Sequence, residues 1–161
     1  MTPAYFQRLF AYNLDANQRL WECATHLSDE DYVRDVPYSI GSVQKQIAHY
    51  VGVEYWWFHF LRTGQLDFQQ EPKESRAAQR TFWDEVNTVN QTYIDGLTPE
   101  ELTRYVKPDF WDEGDKSITA ANAITHVMLH SMDHRSQILR ALHDFGAPTF
   151  EQEFLYYLLD L

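Results

Sequence analysis

Four stretches of this chain, each about twenty residues long, repeat their apolar residues at the three-and-four spacing of an α-helix, and this pattern constrains the fold most. The first runs from about Pro3 to Thr25 and places Phe6, Leu9, Phe10, Leu14, Leu20, Trp21 and Ala24 on one broad side. Pro3 suits a first-turn position. The second runs from Ser42, an N-cap residue, to Arg62, with Gly64 as its stop. The third spans Glu74 to Asp95, with Phe82, Val86, Val89 and Tyr93 as its apolar stripe. The fourth spans Thr119 to Phe145, and Gly146 and Pro148 follow as stop signals. Helices of this length reach about 30 Å. Four of them in one chain predict an all-α four-helix bundle.

Shorter signals fill the gaps. Thr98-Pro-Glu-Glu101 is a capping box with proline at the first helical position, so a brief helix is expected there. Thr149-Phe-Glu-Gln152 reads as a second box, opening a short C-terminal helix through Phe154, Leu155 and Leu158. Residues 103–118 carry Pro, Gly and aromatics and predict an irregular loop, with a short hairpin around Asp112–Asp115. The roughly ten residues between Gly64 and Glu74 extend to about 33–36 Å, enough to return along a bundle and leave the second and third helices parallel. That spacing permits a crossover without requiring one.

Composition bounds the remainder. Apolar residues make 44% and aromatic residues 16% of the 161, enough for a large core and too many for a disordered chain. Six Gly and six Pro leave little turn chemistry for a many-stranded barrel or sandwich. A formal charge of −11 opposes general binding to nucleic acid or an anionic membrane. One cysteine excludes a disulfide framework and a multi-cysteine zinc site. With no repeat, linker, signal-peptide core or long apolar run, the expectation is one soluble, cytoplasmic domain over residues 1–161.

Candidate chemistry concentrates in histidine. Of seven, His126, His130 and His134 follow one another at i, i+4 steps on the fourth helix. Neighbours one turn apart can aim both rings at one ion, whereas the outer pair is about 12 Å apart along the axis. At about 100° per residue from Ile124, the apolar stripe lies between about 300° and 40°, while His134, His130 and His126 fall at about 280°, 240° and 200°. His130 and His134 therefore border the core, and His126 turns toward solvent. On the second helix His49 falls among Val53, Trp56 and Phe60 and reads as the inward histidine, while His59 reads as exposed. Three neutral imidazoles from two helices, with coordination positions left over, describe a catalytic rather than a structural metal site. Surface histidines and hydrogen-bonded core histidines are the competing reading of the same spacing.

Polar residues inside apolar stripes sharpen the picture. Asn13 and Asn17 lie one turn apart in the middle of the first helix's stripe, and Arg135 lies in that of the fourth. Burying such groups costs several kcal/mol unless they are paired, so they form a polar network or line a cavity. The alternative is a misphased wheel with Arg135 snorkelling outward. Cys23 reads as a small core residue rather than a nucleophile; Glu54 after His49 and Asp133 before His134 are candidates for supporting or general-base groups, with exposed helix-face acids as the simpler reading of both. The Tyr55-Trp-Trp-Phe58 run reads as core on two sides.

These residues resemble the DinB-like superfamily (DinB/YfiT-like) of metal-binding four-helix bundles over nearly the whole chain. The resemblance rests on Tyr12-Asn-Leu-Asp-Ala-Asn17, on Ser42-Val-Gln-Lys-Gln-Ile-Ala-His49 and, most specifically, on the HxxxHRxQ pattern of His130-Ser-Met-Asp-His134-Arg-Ser-Gln137. Ser136 stands where the family usually has glycine. The resemblance implies an up-down-down-up bundle, often a homodimer, and a divalent-metal site on His49, His130 and His134, with zinc or nickel as the metal. Characterised relatives include transferases and isomerases that use low-molecular-weight thiols such as bacillithiol or mycothiol, and others are described as metal-dependent hydrolases.

Three functions compete. One is a metal-dependent enzyme, hydrolase or thiol transferase, acting on a small-molecule substrate, with Asn13, Asn17 and Arg135 supporting the site. The second is a non-catalytic module that holds a metal or small molecule. The third is a bundle with vestigial histidines that serves dimerisation or partner binding. No residue stands out as a general base, and Lys45 is only a marginal cation for an anionic thiol.

Overall fold

The computed structural model describes residues 1–68 and 75–159. Four long helices dominate: α1 (Pro3–Ala24), α3 (Val43–Thr63), α4 (Arg76–Asp95) and α6 (Ala120–Asp144). Short helices α2 (Asp29–Val33), α5 (Pro99–Thr103) and α7 (Phe154–Leu158) decorate the connections. Their ends obey local chemistry. Hydroxyl side chains of Thr2, Ser42, Ser75, Thr98 and Thr119 each accept a hydrogen bond from a backbone N–H three residues on, satisfying a donor that the helix cannot. Gly64 closes α3 in the left-handed conformation at φ 72°, which glycine adopts without a Cβ clash. The expected start of the third long helix at Glu74 lies outside the described residues, and α4 begins at Arg76.

Two apolar clusters fix the direction of each helix. One joins Phe6 and Phe10 at the start of α1, Phe58 and Leu61 at the end of α3, Ile94 at the end of α4, and Ile124 and Val127 at the start of α6. The other joins Leu20 and Trp21, Val43 and Ile47, Trp83 and Val86, and Ile138 and Leu142 from the opposite ends. Helices α1 and α6 therefore run one way and α3 and α4 the other, giving the up-down-down-up bundle. Helix α6 packs on α1 and α3, and α4 packs on the same two.

Between the clusters each long helix contributes a buried polar residue. Asn13 and Asn17 come from α1, Glu54 from α3, Asn90 from α4, and Ser131 and Arg135 from α6. The bundle core is thus two apolar halves separated by a polar layer.

The connection between α5 and α6 is a short hairpin. Strands β1 (Tyr105–Val106) and β2 (Ile118–Thr119) pair antiparallel, and a turn closes with Asp115 N–H donating to the Asp112 carbonyl at 2.9 Å. Two expectations fail. Val89 is 40% exposed rather than part of the α4 stripe. The Thr149–Gln152 box starts no helix: α7 begins at Phe154, and its N-cap Glu153 makes no side-chain cap bond. The cause is competition for Gln152. Its Oε1 accepts from Arg135 Nε at 3.0 Å and its Nε2 donates to Ser136 Oγ at 2.6 Å, so the side chain is held on α6 rather than folded back to a cap. Among the described residues no helix is long and apolar enough to cross a membrane.

Candidate metal centre

His130 and His134 stand one turn apart on α6, and His49 reaches them from α3, the helix that packs against that face. One ligand atom from each lies within 4.8 Å of the others. The Nε2 atoms of His49 and His130 are 3.2 Å apart, and the ring of His134 lies 4.7 Å from that of His49 and 4.5 Å from that of His130. His126 stays exposed, as expected, although its ring remains 6.0 Å from that of His130.

The three rings differ in depth. His134 is buried, His130 half-buried and His49 exposed, which corrects the inward reading of His49. Helix α3 centres its core face on Val43, Ile47, Tyr50 and Leu61, so the stripe with His49, Val53 and Trp56 lies at its edge. The site therefore lies at the surface where α3 and α6 meet, open on the side of His49. His59, expected to be exposed, is half-buried with its ring 5.8 Å from that of Tyr55, apart from the cluster.

Electrostatics favours neutral rings. Burial pushes the His49 and His134 imidazoles below their ordinary value. Burial, then the neighbouring His134 and His49, drive His130 down to about 4. A neutral imidazole has one donor and one acceptor nitrogen, so two rings meeting at Nε2 share at most one hydrogen bond. Buried Nδ1 atoms of His130 and His134 have no hydrogen-bond partner either. Three converging nitrogen lone pairs with so little to satisfy them fit a cation. The 3.2 Å separation also agrees with the roughly 3.3 Å between two nitrogens bonded at about 2.0–2.1 Å to one tetrahedral ion.

A model of the DinB family matches residues 1–159. The chain belongs to the DinB family. Among solved structures, that of a DinB-like protein (YjoA) from Bacillus subtilis superimposes with a TM-score of 0.68, covering 90% of this chain and 99% of that one. Identity between the two is 16%, so the likeness is one of fold. No curated protein sequence matches the chain at a significant level.

Behind the histidines of this DinB-family chain sits the polar layer. Arg135 is 0% exposed, which excludes the snorkelling alternative. Its Nη1 donates to Oδ1 of Asn13 and, at 2.7 Å, to Oδ1 of Asn17, and its Nε donates to Gln152. The two asparagines turn their amide nitrogens the other way, to Oε1 of Glu54, at 2.9 Å from Asn13 and 3.4 Å from Asn17. Ser131, the residue after His130, donates its hydroxyl to the same oxygen at 2.6 Å. Each asparagine thus relays a cation on one side to a carboxylate on the other, and the layer reaches the segment of α6 that carries the site.

Glu54 belongs to the supporting polar layer, the role that the sequence offers beside the simpler reading of an exposed helix-face acid; it is fully buried, with burial pushing its carboxyl above the usual range. A signal was available: the helical wheel that located His49 puts Glu54 about 20° from Val43, inside the apolar stripe. Asp133 is exposed and accepts from Gln137, as expected of a helix-face acid. Cys23 is half-buried, with burial raising its thiol pKa. Lys45 donates to both carboxylate oxygens of Asp35, at 2.8 and 2.9 Å, which occupies the one cation weighed for an anionic thiol.

Proposed function

We propose that this protein is a metal-dependent enzyme whose His49, His130 and His134 hold one divalent ion, zinc or nickel. The observation that carries the reading is the convergence of three imidazoles, a ligand atom of each within 4.8 Å of the others, where α3 and α6 meet at the surface. An all-nitrogen ligand set suits zinc and nickel and gives no advantage to magnesium or calcium, which prefer oxygen. Such an ion, when bound, supplies Lewis acidity that makes a water or thiol nucleophilic near neutral pH.

The chain's own residues have separable tasks. Partial desolvation where the two helices meet lowers the pKa of all three rings, most at His130, which favours the neutral form that ligates. Ser131, tied to Glu54, holds the α6 segment between His130 and His134 in register with α3. The exposure of His49 leaves a small molecule a way in. Hydrolysis and transfer of a low-molecular-weight thiol are the two reactions that such an ion serves, and Lys45, the one cation weighed for an anionic thiol, forms an exposed pair with Asp35.

The test is metal content with tag histidines removed, followed by turnover screens with ester, amide and epoxide substrates, with and without added thiol. About one equivalent of zinc or nickel per chain is expected. His130→Ala should abolish it and His59→Ala should not. Equal loss from both substitutions would overturn the ligand assignment. Full metal loading with no turnover would favour the non-catalytic binding module.

A further inference from the structure

We infer that α6 carries a second site on the flank it turns to α1, a pocket that takes a small, uncharged aromatic molecule. Helical period builds it. On α1, Tyr5, Leu9 and Tyr12 follow one another at steps of four and three, and on α6, Thr125, Leu129 and Met132 do the same. One stripe thus runs down each of two helices that pack together. Between the stripes lies a cavity of about 230 Å³, to whose wall α7 adds Phe154.

The cavity has a buried floor and an open mouth. Tyr12, Asn13 and Met128 are buried, whereas Tyr5, Leu129 and Met132 are 44%, 56% and 38% exposed. It therefore reaches from solvent down to the polar layer, which Asn13 joins. Packed interiors keep few voids larger than a water molecule. Large apolar side chains gathered at the mouth of one stay in contact with water until a ligand covers them.

The lining sets the class of that ligand. Among the described residues that line the cavity none is charged. Its polar groups are already engaged. Tyr12 donates its hydroxyl to the Gln152 carbonyl, and Thr125 donates its own to the Ala121 carbonyl at 2.8 Å. Asn13 turns its amide oxygen to Arg135 and its nitrogen to Glu54. An ion entering here would give up hydration and meet no counter-charge. Of the three methionines in the chain, both that follow Met1 line this cavity. Thioethers adapt their shape and pack well at the edges of aromatic rings. The rings of Tyr12 and Phe154, 5.1 Å apart, offer further edges and faces. An apolar cavity of about 150 Å³ takes up benzene, so this larger one holds two fused rings.

The experiment uses full-length, metal-free protein labelled with ¹³C at the methionine methyl groups, titrated with indole and followed by NMR. The Met128 and Met132 methyls should shift saturably with a Kd below about 1 mM while Met1 stays unmoved. Indole-3-acetate, the same rings with a carboxylate, should bind at least about tenfold more weakly. Thr125→Leu fills the cavity from its wall and gives up only a hydroxyl bond within its own helix, so it should weaken indole at least about fivefold with helical circular dichroism retained. Zinc should leave the indole affinity unchanged, because the histidines face α3, so the result is independent of the metal site. No saturable shift up to the solubility limit of indole, equal movement of all three methyls, or equal affinity for the anion would overturn the site. A sedimentation result showing a dimer with Met128 and Met132 already covered would also overturn it, and would assign this face to a second copy of the chain.

Discussion

Replacing Arg135 with methionine tests the polar layer most directly. The guanidinium is fully buried, and three side-chain carbonyls, from Asn13, Asn17 and Gln152, accept its protons. Methionine fills similar space but donates nothing. Each buried carbonyl left without a donor costs about 1–3 kcal/mol. Arg135 also faces the Glu54 carboxyl across the two asparagines, without touching it, and its charge opposes the rise in the Glu54 pKa less than the Ser131 and Asn13 hydrogen bonds do. Three acceptors lose their donor together, and their contributions overlap rather than add. A net loss of about 3–5 kcal/mol is therefore expected. At about 2–4 °C per kcal/mol for a domain of this size, the melting temperature should fall by about 6–20 °C. The assay is thermal and urea unfolding of metal-free protein, with the urea m-value unchanged. Arg135→Lys should recover only part of the loss, since a point charge cannot reproduce the planar fork that meets Asn and Gln acceptors together. In the double variant with Glu54→Gln the loss should be smaller than the sum by about 1 kcal/mol or more. A change below about 1 kcal/mol in Arg135→Met, or strict additivity in the cycle, would refute the relay described above.

Four further outcomes follow from the same structure. Because burial raises the Glu54 pKa, the folded chain binds that proton more tightly than the unfolded chain. Its contribution is present below the ordinary carboxyl value of about 4.3 and is lost as pH rises above it, so the stability of Glu54→Gln relative to the parent should improve from pH 4 upward, measured by urea unfolding. His49 is exposed, so His49→Ala should leave metal-free stability within about 0.5 kcal/mol while losing the thermal shift that zinc gives the parent, about 2.7 kcal/mol at a hundredfold excess over Kd. Gly64→Ala should cost about 1 kcal/mol in chemical denaturation through its φ of 72° alone, as a Cβ there meets no neighbour within 4 Å. Cys23, half-buried with its thiol pKa raised, should alkylate more slowly in folded than in urea-unfolded protein at pH 7, and Cys23→Ser should leave zinc content unchanged.

What the sequence determined by itself is whatever depends on residues three or four apart. Ser42 caps α3 because its hydroxyl needs only the Lys45 N–H, 3.2 Å away, and Thr98 and Thr119 cap by the same local reach. Gly64 ends a helix for a reason contained in its own backbone. His130 and His134 share a face because of helical pitch alone, and the apolar stripes need only the 3.6-residue period to predict four packed helices. Tertiary structure decided where a polar group finds its partner. Thr149-Phe-Glu-Gln152 has the pattern of a cap, yet Arg135 and Ser136 compete successfully for Gln152 from another helix. The wheel of α3 alone places Glu54 in the apolar stripe, but the donors that satisfy it there, Asn13 and Asn17 of α1 and Ser131 of α6, converge on its Oε1 only in the bundle. His49 joins the candidate site from an exposed edge because α3 and α6 pack there, a contact between residues eighty-one positions apart. Local bonds form wherever the chain goes, whereas the cost of burying a charge is set by donors and acceptors that only the assembled bundle brings within 3 Å or so of it.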